Sequence, residues 1–125
     1  MAKIATDLEQ SKKLAKILPV ESADMVYFID NNTLYPFPPS QANPALPHIS
    51  AWSLSALMNI LPNEIIFELK SYHFKMITDV YSNGEKYYDL GYMGNGYWLE
   101  YEDDVDLVDA CYKMIIKLHE RDILN

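Results

Sequence analysis

The last third of the chain constrains the fold most, because acidic and tyrosine-rich residues lead there into one amphipathic segment. Its spacing predicts a helix over about residues 104–121, capped by Asp103 or Asp104. Apolar side chains recur along one face of this helix: Val105, Val108, Cys111, Tyr112, Ile115 and Leu118. Such a face must be buried, so the segment predicts a helix that covers a sheet.

Alternating and β-branched segments predict the strands of that sheet. Asn83-Gly84 is the strongest hairpin signal in the chain, and Gly91, Gly94 and Gly96 mark a second tight connection. Because these signals separate three of the predicted strands, the sequence predicts a meander. The predicted strands cover residues 24–29, 64–70, 72–81, 86–92 and 97–101.

Two more helices and one long loop complete the predicted organisation. A helix is predicted over residues 6–18, with a capping box from Thr6 to Glu9, and another over residues 51–61, with Ser50 as its cap. The segment between them includes residues 35–47, which carry five of the seven prolines and predict a stiff irregular loop.

These elements together predict an α+β fold. We expect an antiparallel sheet of three to five strands with about three helices packed on one face. The length of 125 residues is typical of one domain, so residues 1–125 are predicted to form a single domain.

Charge and composition narrow the classes of function. The formal net charge of −8 argues against direct nucleic-acid binding, which needs clustered Lys and Arg. No apolar run approaches the length of a membrane span, and residues 1–10 lack the apolar core of a signal peptide. We therefore expect a cytoplasmic protein that does not bind membranes.

Motifs that would carry catalysis or hold a cofactor are weak throughout the sequence. The acidic group at residues 100–109 lacks the spacing of a calcium loop, and the glycines at 91, 94 and 96 lead into a strand, unlike a phosphate loop. His48, His73 and His119 lack metal-ligand spacing, and Cys111 lies on an apolar helix face. The prediction is a non-enzymatic protein with no catalytic residues, no metal and no cofactor.

Aromatic residues supply the candidate interaction surface. Ten tyrosines and two tryptophans are many for this length, and such side chains suit protein interfaces. Alternate residues of a strand share a face, so one aromatic set is expected to face outward. The candidate interaction residues are Trp52, Tyr87, Tyr88, Tyr92, Tyr97 and Trp98. For Trp52 the alternative is that it anchors the proline-rich loop that precedes it.

Three blocks of the sequence carry a resemblance to a group of known proteins. The blocks are LAKILPVESADM, ISAWSLSALMNILP and DLVDACYKMIIKLHERDIL, about a third of the chain. In this order, with a proline-containing loop after the first, they resemble small proteins of gut bacteria and their phages, a group without assigned activity. The resemblance implies an accessory protein derived from a phage or mobile element. It transfers no catalytic residue.

The sequence therefore predicts an accessory protein that binds a protein partner, or forms a homo-oligomer, through its aromatic surface. Two alternatives stay open. One is an acidic inhibitor that mimics nucleic acid and occupies the binding site of a basic enzyme. The other is a pocket under the proline-rich loop that binds a small ligand or carries an enzymatic activity.

Overall fold

The computed structural model describes residues 2–124 of the chain. Residues 3–60 and residues 61–124 each form a compact unit. Within the described residues, three α-helices and two antiparallel sheets confirm the predicted α+β class. The strands divide between a sheet of three and a sheet of four, whereas the sequence predicted one sheet. The prediction of a single domain stays a prediction.

The unit formed by residues 3–60 is built on a three-stranded antiparallel sheet. The strand order is β2-β1-β3, and α1 packs against β3. Tyr27 and Leu34 pack against a small apolar core of Ala5, Met25 and Ala51. The elements are α1 (Leu8–Ala15), β1 (Met25–Phe28), β2 (Thr33–Tyr35), β3 (His48–Ala51) and α2 (Leu54–Ile60).

The first helix begins later than predicted, and a different pair of residues caps it. Asp7 accepts a hydrogen bond from the backbone N–H of Gln10, and the Gln10 side chain accepts one from the N–H of Asp7. Thr6 instead lies fully buried, with its hydroxyl 2.7 Å from that of Ser11. The predicted Thr6–Glu9 capping box is therefore wrong by one residue.

The second helix also begins later than predicted. Ser50 does not cap it, because residues 48–51 form strand β3 and pair with β1. The side-chain oxygen of Ser53 accepts a hydrogen bond from the N–H of Ala56, so Ser53 caps α2. The carboxylate of Asp24 holds Ser53 in place by accepting hydrogen bonds from its N–H and its hydroxyl.

The proline-rich segment is folded back onto the three-stranded sheet. It contains a short 3₁₀ turn at Pro39–Gln41 instead of being irregular throughout. The ring of Phe37 lies 6.2 Å from that of Phe28 and 5.8 Å from that of Tyr35, between ring centroids. These contacts fix the start of the loop on β1 and β2.

The unit formed by residues 61–124 is a four-stranded antiparallel meander covered by one helix. The strand order β4-β5-β6-β7 follows the chain, as predicted for three of the strands. The helix α3 contacts β6 and β7. The elements are β4 (Glu64–Phe67), β5 (Lys70–Val80), β6 (Lys86–Gly94), β7 (Tyr97–Asp104) and α3 (Leu107–Glu120).

Tight turns connect the four strands. Gly84 adopts a φ of 89°, so the predicted Asn83-Gly84 hairpin is confirmed. The second turn is formed by Asn95 and Gly96, with φ of 52° and 79°, whereas Gly91 and Gly94, which were predicted to mark it too, belong to β6. The β4–β5 turn also places two residues at positive φ, but they are Glu68 and Leu69, which lack the glycine freedom that such a turn favours.

The last helix is confirmed, but it is shorter at its start than predicted. Asp103 and Asp104 belong to β7, which continues three residues beyond its predicted end. Asp106 is the cap, and its carboxylate accepts hydrogen bonds from the N–H groups of Val108 and Asp109. The buried residues of α3 are Val108, Ala110, Cys111, Met114, Ile115 and Leu118.

Candidate functional site: the open face of the four-stranded sheet

The four-stranded sheet has two chemically different faces. We call the side that α3 covers the helix face; it carries Leu90, Tyr92, Glu100, Glu102 and Asp104. The other side is the open face. It carries Tyr81, Tyr87, Asp89, Trp98, Tyr101 and Asp103, because side chains alternate along each strand.

A ladder of ion pairs joins β7 to α3 on the helix face. Lys113 Nζ lies 2.6 Å from Asp104 Oδ2, and Arg121 Nε lies 2.7 Å from Glu100 Oε1, with Lys117 and Glu102 paired between them. Four residues of helix advance about 6 Å, and two residues of strand advance about 7 Å. Because these two spacings are similar, three basic residues of the helix can each pair with one acidic residue of the strand.

The ladder explains half of the acidic group that dominates the sequence. Partial burial acts to raise the pKa of the Asp104 carboxyl, but hydrogen bonds from Lys113 and the backbone outweigh it and lower that pKa. Glu100, Glu102 and Asp104 are thus neutralised by α3. Asp106 caps the helix, so these four carboxylates have structural roles.

Two of the predicted interaction residues are buried and cannot contact a partner in this fold. Trp52 is 0% exposed, and its indole N–H donates a 2.9 Å hydrogen bond to the Ser22 hydroxyl. Tyr92 is also 0% exposed, and its hydroxyl donates to the carbonyl of Pro62 at 2.7 Å. Both side chains bury a large apolar body and satisfy their polar tip, so placing them at an interface is wrong.

The other four predicted interaction residues are divided between the two faces. Tyr88 lies on the helix face, with the Lys86 ammonium 5.7 Å from its ring centroid. Tyr97 is 75% exposed at the start of β7. Only Tyr87 and Trp98 lie on the open face, and both are half-buried there.

Two pairs of aromatic side chains lie on the open face. The rings of Tyr81 and Tyr87 are stacked, with centroids 4.0 Å apart and planes at 15°. The rings of Trp98 and Tyr101 lie 5.3 Å apart. Trp98 also covers Gly91, where an added Cβ would lie 2.9 Å from its ring. The Glu100 carbonyl oxygen would lie closer still, at 2.1 Å, so the backbone of β7 and the tryptophan ring together require glycine at this position.

Two carboxylates lie opposite each other on the same face as these aromatic pairs. Asp89 and Asp103 occupy directly opposite positions on β6 and β7. The Tyr101 hydroxyl donates a 2.7 Å hydrogen bond to Asp89, and this bond is the main reason that the pKa of Tyr101 is raised. Partial desolvation, followed by the charge of Asp103, raises the pKa of Tyr81. The phenols therefore stay protonated beside the acids.

No lysine, arginine or histidine within residues 2–124 forms an ion pair with Asp89 or Asp103. Like charges at directly opposite positions of a sheet destabilise it. The open face therefore contrasts with the helix face, where every acidic residue of β7 has a basic partner. A cation bound between Asp89 and Asp103 would relieve this repulsion, so the arrangement is suited to binding a positively charged group.

Sequence reasoning missed four residues of this site: Tyr81, Tyr101, Asp89 and Asp103. For Tyr101 and Asp103 the alternation along β7 would have been sufficient. Residues 101 and 103 must share one face of the strand, and residues 100, 102 and 104 must share the other. Asp89 follows from the pairing of β6 with β7, which the sequence alone does not fix.

A second candidate site lies within residues 3–60, under the proline-rich loop. It is a pocket of about 380 Å³ with a mainly apolar lining, formed by Val20, Glu21, Ala23, Pro38, Pro39, Ser40 and His48. The ring Nδ1 of His48 lies 2.9 Å from the Leu46 carbonyl oxygen. The volume is within the range of small-ligand sites.

Cys111 is expected to react slowly with thiol reagents in the native protein. Its side chain is fully buried on α3, and burial raises the pKa of the thiol to about 12. Because the thiolate is the reactive form, a soluble aromatic disulfide should label it only on the timescale of unfolding. Fast labelling without denaturant, at the rate of the unfolded chain, would contradict this placement.

Comparisons with protein-family models, with curated proteins and with solved structures return no match. Among the described residues, no helix is long and apolar enough to cross a bilayer. Within residues 2–124 no group of three or more His, Cys, Asp or Glu side chains is arranged to hold a metal ion. The geometry of the open face is therefore the main guide to function.

Proposed function

We propose that this chain is a non-enzymatic interaction protein whose open face binds a cationic side chain of a protein partner. The observation that carries the proposal is the pair of opposed carboxylates, Asp89 and Asp103, set among tyrosines without a basic partner in the described part of the chain. The proposal keeps the predicted aromatic surface but centres it on Asp89, which the sequence analysis did not name, and on Asp103, which it named only as a possible helix cap.

The chemistry of this face favours arginine or lysine as the group that is bound. A guanidinium can donate hydrogen bonds to two carboxylates at once, and it also stacks on aromatic rings. Tyr81 and Tyr101 are 38% and 40% exposed, so their rings remain accessible beside the acids. A cation close to such rings gains about 0.5–2 kcal/mol in addition to the ion pairs.

The opposed acids also suggest that this face is retained for binding and not for stability. Two like charges at opposite positions cost roughly 0.2–1 kcal/mol. Replacing one of them should therefore make the free protein slightly more stable while it weakens the complex. If these two carboxylates served only folding, replacing one of them would make the free protein less stable and would not weaken the complex.

Asp103→Asn is expected to weaken binding of an arginine-containing peptide at least about ten-fold, because a charged hydrogen bond contributes about 1.5–3 kcal/mol. The measurement is fluorescence anisotropy with a labelled Gly/Ser peptide that carries two arginines. Asp30→Asn removes an exposed acid outside the open face and serves as the matched control, with no expected change. Equal affinity for both variants and the wild type would contradict the proposal.

The dependence of the peptide affinity on salt concentration is a second test, measured in the same anisotropy experiment. Exposed charges interact over about 8 Å at physiological ionic strength, so binding should weaken steeply as salt is added. The aromatic contacts should persist, which predicts a residual affinity at high salt that Tyr101→Ser removes. A partner whose affinity ignores salt would be held by some other surface.

The pocket under the proline-rich loop supports a second candidate function, the binding of a small apolar ligand. Its volume and apolar lining are the observations in its favour. A fragment screen by ligand-observed NMR tests it, with Ala23→Phe as the variant that fills the pocket. Fragments that bind the wild type and Ala23→Phe equally would show that this pocket is not their site.

The biological setting of either function is proposed from the sequence resemblance alone. We propose an accessory protein encoded by a phage or mobile element of gut bacteria. The opposed acids on the open face are compatible with a basic partner in that setting, including a nucleic-acid-binding enzyme.

A further inference from the structure

The open face also carries two basic residues of β5, His73 and Lys75. Side chains alternate along β5, and Ile77 pairs with Asp89 of the open face, so His73 and Lys75 lie on that face too. Both are exposed. The open face is therefore acidic at one end of the strands and basic further along them.

His73 already has an acidic partner within the sheet. Its Nε2 lies 3.6 Å from Glu64 Oε2, and Glu64 is directly opposite it on β4. The Ser71 hydroxyl donates a hydrogen bond to the same carboxylate. These three side chains therefore interact mainly with one another.

Lys75 differs from His73, because no acidic side chain within residues 2–124 forms an ion pair with it. A pocket of about 420 Å³ lies beside it, lined also by His73, Met93 and the turn at residues 94–96. None of the described residues that line this pocket is acidic. Lys75 is therefore a basic group with adjacent space for an anion.

The spacing between Lys75 and the opposed carboxylates matches that of an extended peptide. Lys75 pairs with Gly91, which is two residues from Asp89, and two residues of strand advance about 7 Å. Alternate side chains of an extended peptide are the same distance apart on one side of the chain. The ring of Trp98 covers Gly91, so an aromatic surface lies between the two ends.

We propose that the open face binds an extended segment of its protein partner in which an acidic residue lies two positions from the bound arginine or lysine. The basic side chain binds Asp89 and Asp103, and the acidic side chain binds Lys75. The flexible four-carbon stem of Lys75 spans the remaining offset between β5 and the carboxylates. This inference rests on the proposed function and adds to it the sequence that the face selects.

The net charge of −8 makes the test sharp, because general electrostatics would let any added acid weaken binding. We expect the opposite for a labelled Gly/Ser peptide with one arginine and a glutamate two residues later. It should bind about three- to five-fold more tightly than the same peptide with glutamine there, as expected of a favourable exposed ion pair. Fluorescence anisotropy measures both affinities.

The position of the glutamate provides a control within the peptide. A glutamate next to the arginine points to the other side of an extended chain, so it should give no preference over glutamine. No backbone pairing fixes the direction of the peptide, which can therefore lie with its glutamate over Lys75.

Variants of Lys75 test the contact from the side of the protein. Lys75→Gln should bind the glutamate and glutamine peptides equally, and Lys75→Glu should prefer the glutamine peptide. Lys70→Glu makes the same charge change on the opposite face of β5 and should keep the wild-type preference. The ratio of the two affinities is compared for each variant, so any change in the binding of arginine itself cancels.

Equal binding of the glutamate and glutamine peptides by the wild type would overturn the role of Lys75, as would a preference that Lys75→Gln retains. The open-face site would survive either result if replacing the arginine by citrulline still abolished binding. Binding that does not need the arginine would instead reject the site itself, and the contact with Lys75 together with it.

Discussion

Replacing Trp52 with alanine is expected to lower the free energy of unfolding by about 3–5 kcal/mol. The indole is fully buried, and its N–H donates to the Ser22 hydroxyl 30 residues earlier in the chain. The variant loses the burial of the largest core side chain and leaves that hydroxyl without its donor. Chemical denaturation followed by circular dichroism measures the loss.

Trp52→Phe separates the contribution of the buried aromatic ring from that of the indole N–H hydrogen bond. It keeps an aromatic ring in the core but removes the indole N–H, so it should cost less than Trp52→Ala while still losing about 1 kcal/mol or more for the hydrogen bond and the smaller ring. Wild-type stability of Trp52→Ala would show that the side chain is at the surface, which is where the sequence-based interaction hypothesis placed it.

Ile115→Ala is expected to cost about 2–5 kcal/mol, because it opens a cavity where α3 packs on its sheet. Ile115 is 0% exposed and lies one turn from Cys111 on the buried face of the helix. The same denaturation experiment measures the change, and the rate of Cys111 labelling should rise with the fraction of unfolded chain.

Val105→Ala is the control for Ile115→Ala. Val105 also belongs to the apolar stripe predicted from the sequence, but it precedes the helix and is 46% exposed. Its replacement should change the free energy of unfolding by less than about 0.5 kcal/mol. Equal losses for the two variants would mean that the buried face of α3 is wrongly assigned.

Local patterns were sufficient to predict most elements of the fold. The glycine turns at Gly84 and Gly96 and the amphipathic helix near the end of the chain depend on interactions between neighbouring residues. The helix starts were harder to predict, because the chain offers several possible caps in a row. Ser50 has the chemistry of a cap, but pairing with Val26 places it in a strand and leaves Ser53 to cap α2.

The candidate site was only partly predictable, because the faces of the strands depend on register. Strict alternation along β7 would place Trp98 on the same face as Glu100. A bulge at Leu99 changes this, since Tyr92 pairs with Glu100 but Met93 pairs with Trp98. One extra residue therefore moves the tryptophan onto the open face beside Tyr101.

The acidic residues show the same dependence on register. In the sequence they form one group, which helix capping and a solvated acidic face explain better than metal binding. The alternation of β7 sends Glu100, Glu102 and Asp104 to the basic residues of α3 and leaves Asp103 on the other face, opposite Asp89. Only long-range pairing distinguishes the neutralised acids from the unpaired ones.

The most direct test of the open-face site is a two-dimensional ¹⁵N–¹H NMR titration of the full chain with the two-arginine peptide. We expect the largest shift changes at Tyr81, Asp89, Tyr101 and Asp103, with the amides of the proline-rich loop unaffected. The peptide with both arginines replaced by citrulline, which is neutral, should leave these signals in place. Changes that centre on any other surface, or that persist with citrulline, would contradict a cation-binding open face.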